Sequence, residues 1–212
     1  MTTWLEWRPN PRVLVMVGLS LVVLVLVIGG AWFWTSAQAE RAQAVHADAL
    51  AQAAVARSPQ APAAAKTAAV SALESALAQA PGAALAAQSA YELGNLRFDS
   101  GQYTTARAAY EIAHGRASGA TIRTLANAGI ASTWEAERNF PKAVDAYTTA
   151  IRGTQPGQFY YEDLVLGLGR SQELAGRRDD AIATYKRLLK DVPKLRREDE
   201  VRGRLASLGV AA

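Results

Sequence analysis

Cysteine is absent from all 212 residues. That excludes disulfides, thiol chemistry and a lipobox-type lipid anchor, and it fits an oxidising compartment. Histidine is nearly absent too. His46 and His114 fall on different predicted helices, with no second histidine or cysteine nearby, so no metal-ligand spacing forms. His46 is expected on a polar helix face, and His114 in a last helical turn, where it complements the helix dipole. No P-loop, G-x-S-x-G or H-E-x-x-H occurs, and "GLGR" at 167–170 has neither the third glycine nor the preceding strand of a dinucleotide fingerprint. Asp179 and Asp180 open a helix, a place that suits carboxylates structurally. No catalytic, cofactor-binding or metal-binding residue is expected, and the chain is not expected to be an enzyme. The net charge of +4 is modest. The most basic stretch, "KLRREDEVRGRL", carries three acids and no aromatic, so it reads as a solvated helix face and not a nucleic-acid surface.

One stretch lacks charge altogether. Residues 13–34, "VLVMVGLSLVVLVLVIGGAWFW", hold one hydroxyl and no ionisable group. As a helix this run would extend about 33 Å, enough for a hydrocarbon core of about 30 Å. Trp4 and Trp7 precede it and Trp32 and Trp34 close it, the placement of interfacial aromatic belts. Two export readings stand. In one the run is a permanent single-pass anchor. In the other it is a signal peptide cleaved after "AQA" at 37–39, a small-x-small site. The length of the run and the bulky "WFW" before that site favour the anchor. Arg8 and Arg12 precede the run and few basic residues follow it closely, which places the N-terminus in the cytoplasm and the rest outside.

The remaining sequence repeats itself. Ala69, Leu73 and Ala76 share one spacing with Ala106, Tyr110 and Ala113, with Ala143, Tyr147 and Ala150, and with Ala181, Tyr185 and Leu188. The leading alanines lie 37, 37 and 38 residues apart. Offsets of i, i+4 and i+7 occupy one helix face, and a period of this size marks a repeat array. Upstream of each later copy sits a large apolar residue followed by a small one: Leu93–Gly94, Ile130–Ala131 and Leu168–Gly169. A short turn separates the two patterns each time. The reading is three helical hairpins at about 84–117, 121–152 and 157–190, preceded by a half-repeat helix at 63–80.

These residues resemble the tetratricopeptide repeat. The first copy carries Leu93, Gly94, Gly101, Tyr103, Ala106, Tyr110 and Ala113; the second Ile130, Ala131, Trp134, Phe140, Ala143, Tyr147 and Ala150; the third Leu168, Gly169, Gly176, Ala181, Tyr185 and Pro193. The period exceeds the usual 34, the extra residues falling in the links "ASGAT" and "GTQPGQ", and Arg178 stands where an aromatic is usual. The resemblance implies an α-solenoid of hairpins; with the apolar run before it, the expected fold class is all-α, a single N-terminal transmembrane helix followed by that solenoid. The resemblance also implies a protein-binding groove lined by the first helix of each hairpin. Carried onto this chain, the groove would hold Tyr91, Asn95, Phe98 and Asp99, then Ser132 and Glu135, then Asp163, Arg170 and Glu173. Whether some of these pack against the N-terminal helices instead stays open.

The expected organisation is a cytoplasmic tail (1–12), a transmembrane helix (13–34), an emerging helix and linker (35–62) and a repeat domain (63–212) ending in a capping helix. Taken whole, one N-terminal span, an emerging helix, "AVSALESALAQAP" and repeats to the end, the chain resembles the YfgM family, ancillary subunits of the bacterial SecYEG translocon. Its tail is shorter and less acidic than that family's pattern. The resemblance implies a bacterial inner-membrane protein with a periplasmic repeat domain. The implied partners are proteins or peptides: translocon subunits, secreted chains and a periplasmic chaperone such as PpiD. No cofactor or nucleic acid is implied. An adaptor in another envelope assembly, for cytochrome maturation, the outer membrane or the Tol–Pal system, is the alternative.

Overall fold

The computed structural model describes residues 11–210. The tail at 1–10, with Trp4, Trp7 and Arg8, lies outside the described residues. Among those residues the chain is all α, with nine helices and no strand: α1 (Pro11–Ala56), α2 (Ala63–Gln79), α3 (Ala86–Asp99), α4 (Tyr103–Arg116), α5 (Ala120–Ala136), α6 (Phe140–Arg152), α7 (Tyr161–Leu174), α8 (Arg178–Asp191) and α9 (Glu198–Ser207). The chain divides into two units, one ending at Ala44 and one beginning at Val45.

The first unit is the apolar part of α1. Every large apolar side chain from Leu14 to Ile28 is more than half exposed, and Trp32, Phe33 and Trp34 are 65–72% exposed. The hydroxyls of Ser20, Thr35 and Ser36 donate back to the carbonyls of Met16, Trp32 and Phe33 at 2.8, 3.0 and 2.9 Å. Helical Ser and Thr hydroxyls commonly bond back to the preceding turn in this way. Among the described residues this is the one helix long and apolar enough to cross a membrane.

The second unit is a stack of antiparallel hairpins. It begins earlier than the sequence suggests, at Val45 and not at residue 63. Ala49, Ala53 and Ala56 of α1 are buried in one cluster with Ala69, Leu73 and Ala76 of α2, so the end of α1 supplies the first helix that the half-repeat lacked. His46, expected on a polar face, is instead fully buried. Its Nε2 lies 2.9 Å from the Ala80 carbonyl and its Nδ1 2.8 Å from the Ser89 hydroxyl. A carbonyl can only accept, so Nε2 carries the proton and the ring ties α1 to the end of α2 and to α3. The misreading has a simple cause: on an alanine-rich helix a lone polar residue looks like the wet side until a neighbour supplies partners.

Close approach sets the stacking. The repeated alanines, Ala69, Ala106, Ala143 and Ala181, are all 0% exposed. Beside each of the last three stands the tyrosine one turn on, clasped between small residues. A Cβ added at Gly94 or Gly129 would come within 2.7 Å of the Tyr110 ring. One at Gly167 would meet Tyr147 at 2.6 Å, and one at Gly169 would meet Tyr185 at 2.3 Å. Each ring thus fills the space opened by missing side chains, which is how an interior reaches close packing. Tyr110 shows both sides: Gly94 belongs to its own hairpin and Gly129 to the next. Pro141 sits in the first turn of α6, where its missing N–H costs nothing. Arg178, standing where an aromatic is usual, donates to the Leu208 carbonyl and fastens the end of α9.

Candidate functional site

The first helices α3, α5 and α7 lie side by side, and their shared face is where the predicted residues fall. The clasped tyrosines aim their hydroxyls at it. Tyr110 donates to Asn95 Oδ1 at 2.9 Å. Tyr147 donates to Glu135 Oε2 at 3.0 Å and, with its proton so used, accepts from Ser132 at 3.3 Å. Tyr185 donates to Glu173. Burial pushes the Tyr147 phenol up to about 12, and burial raises Tyr110 and Tyr185 as well.

A cross-repeat pair completes each unit. Arg170 of α7 reaches Glu135 of α5 with two nitrogens, one of them 2.9 Å from Oε2. The hydrogen bond to Glu135 is the main reason the guanidinium is held well above its usual range. Arg204 of α9 reaches Glu173 of α7 at 3.4 Å. The same triad, tyrosine hydroxyl, carboxylate and the next layer's arginine, therefore occurs twice. It breaks at the first hairpin, where the position equivalent to Glu135 is Phe98 and the position equivalent to Arg170 is Ser132.

The break forms a cavity of about 360 Å³ lined by Phe98, Ser132, Glu135, Ala136, Phe140, Arg170 and Leu174. Four of the predicted residues, Phe98, Ser132, Glu135 and Arg170, come together here. Leu174 is 51% exposed beside them. A smaller cavity of about 140 Å³ brings Ser132, Asp163 and Arg170 together with Tyr147, Tyr160 and Arg197. Tyr91, Asn95, Asp99 and Glu173 line neither. Tyr91 is half-buried with its ring 5.8 Å from Tyr110. Phe98 stands edge-on to Tyr103 at 5.4 Å. Asp99 is exposed at the end of α3. Asp163 is bound by Arg197, and Glu173 by Tyr185 and Arg204, so the C-terminal segment occupies both carboxylates. Among the described residues from Val45 on, neither the end of α1 nor α2 lines either cavity.

Sequence reasoning missed Phe140, Tyr147, Tyr160, Leu174 and Arg197. Tyr147 was legible as a core residue, but not as one whose hydroxyl emerges on the groove. Phe140 lay in the repeat pattern. Tyr160 and Arg197 come from links, which carry no periodic signal. Tyr160 holds a left-handed backbone, φ 71°, uncommon for a bulky residue.

Stacked antiparallel hairpins with aligned first helices define a helical-repeat protein, a class built to present extended binding surfaces. Residues 163–194, which contain most of α7 and all of α8, match the family model of the tetratricopeptide repeat. The match supports a tetratricopeptide repeat protein, and repeats of this type serve as protein–protein interaction scaffolds. No curated protein matches the chain. Among the described residues, no three histidine, cysteine, aspartate or glutamate side chains gather as a metal site would require.

Proposed function

We propose that this chain is a membrane-anchored scaffold that docks polypeptides on the periplasmic side of a bacterial inner membrane, as an ancillary subunit near the protein translocon, and that it performs no catalysis. The observation that carries the docking reading is the cavity where the polar triad gives way to Phe98, Phe140 and Leu174. It offers apolar side chains around a neutralised Glu135–Arg170 pair. Aromatic anchors in such settings dominate interface energetics. The uncovered apolar helix of the first unit supports the anchor. A tether beside a partner replaces bulk concentration by an effective one, about millimolar for short linkers, so a groove of modest affinity stays occupied. The likeness to the YfgM family, one span followed by repeats, supports the translocon assignment.

Crosslinking in intact cells, with recovered proteins identified by mass spectrometry, tests this. Translocon subunits, secreted chains or a periplasmic chaperone are expected with the natural chain. Phe98→Ala with Leu174→Ala, both in the lining of the cavity, should reduce recovery at least about tenfold, as for hot-spot residues, with helix content unchanged. Recovery of cytochrome-maturation or outer-membrane components would keep the scaffold and overturn the translocon assignment. Turnover of a small molecule with no polypeptide recovered would overturn the whole reading.

A further inference from the structure

The groove leaves a second surface unused. Each hairpin runs out and back, so α2, α4, α6 and α8 all finish at one edge of the repeat unit. Arg116 and Arg152 close α4 and α6, Lys190 stands in the last turn of α8, and Arg187 and Lys194 flank it. All five are exposed, and among the described residues none pairs with a carboxylate; Arg116 donates only to the Pro81 carbonyl. One cation per helix end is what the helix dipole favours. The dipole does not account for Arg187 or Lys194.

Two independent observations fall on the same edge. The link from α6 to α7 lies there, and its Phe159 is 67% exposed, its ring tilted against that of the strained Tyr160 with centroids 5.2 Å apart. The chain also enters the unit there, since His46 bonds the Ala80 carbonyl at the end of α2. Most carboxylates of this edge are already engaged: Glu162 by Arg196, Asp163 by Arg197, and Asp191 by the Tyr161 hydroxyl. Among the described residues, Asp199 alone of the acids starting α9 has no ion pair.

Unpaired cations with an exposed aromatic are the chemistry of a surface that meets lipid headgroups. We propose that this edge of the repeat unit binds the anionic phosphate headgroups of a phospholipid bilayer, with Phe159 entering the headgroup layer. The proposal rests on the membrane-anchor reading and adds a second contact to it. It is electrostatic at heart, so it decays within a Debye length of about 10 Å at 0.1 M salt.

The lysines provide the test. Lys190 and Lys194 sit at this edge, while Lys66 and Lys142 begin α2 and α6 at the opposite one. The full chain is placed in nanodiscs of phosphatidylcholine, with or without phosphatidylglycerol, and lysine acylation rates are read by mass spectrometry. On anionic discs Lys190 and Lys194 should react at least about threefold more slowly, with Lys66 and Lys142 unchanged, and high salt should abolish the difference. Arg152→Glu with Arg187→Glu should restore the rate at Lys194. Equal rates on both discs would overturn the proposal, as would equal protection by soluble glycerol phosphate. A chain that fails to enter discs sinks the anchor reading by itself; the same comparison with the chain added to anionic and neutral vesicles then decides the edge.

Discussion

The two units use apolar residues in opposite ways. From Leu14 to Ile28 the large aliphatic side chains point outward and touch little. From Val45 onward, the smallest apolar residue does the packing: Ala56, Ala69, Ala76, Ala106, Ala131 and Ala143 are all 0% exposed. Hydrophobicity alone therefore does not make a core. A core needs shape and register, with a small residue on one helix where a neighbour's ring must go. Among the described residues the first unit holds the longer apolar run, and its large side chains are exposed.

That contrast can be broken most severely at Ala143. Ala143→Glu puts an unpaired charge into a site with no exposure, and should cost about 3–5 kcal/mol. Ala143→Leu only overpacks the site, at about 1–3 kcal/mol. Thermal melts of residues 35–212 measure both, and unchanged melting for the two variants would show that the register is wrong.

A smaller effect comes from the ring that such a small residue admits. Burial, its largest cause, raises the Tyr147 phenol from 10.0 to about 12 in the fold. The folded state favours the protonated form. Its contribution is fully present below pH 10 and is lost as pH rises through about 12. That loss is roughly 2–3 kcal/mol between those values. Denaturant titrations across this window should show a shallower pH slope for Tyr147→Phe than for the natural chain.

Gly129→Ala sharpens the comparison by adding one methyl group, which would fall 2.7 Å from the Tyr110 ring. A destabilisation of about 1–2 kcal/mol is expected, net of the helix propensity gained. The smallest effect belongs to the other unit. Gly18 has nothing within 4 Å of an added Cβ, so Gly18→Ala should leave the melting of the repeat unit within about 0.5 kcal/mol. A shift comparable to that of Gly129→Ala would mean that this helix packs against something after all.

Much of the repeat unit could be read from spacing. The i, i+4, i+7 pattern names the buried alanines and tyrosines because helix geometry is local, and a face defined over three turns needs no knowledge of its neighbour. The small residues at 94, 131 and 169 could be read for the same reason. Half of the candidate site followed: Phe98, Ser132, Glu135 and Arg170 occupy known positions of a known face and do meet in one cavity. Their pairing could not be read. Glu135 and Arg170 are separated by 35 residues, and only stacking of the second hairpin on the third brings them within bonding distance.

The sequence by itself determined the helices, the repeat period, the tyrosine register and one long uncharged segment, all properties of residues close together along the chain. Only the tertiary structure decided that α1 completes the first hairpin, that His46 is buried between Ala80 and Ser89, and that Asp163 and Glu173 are held by the C-terminal segment. Each of these depends on which surfaces meet. Burial and hydrogen bonding are properties of a pair of surfaces, and a one-dimensional pattern specifies only one of the two.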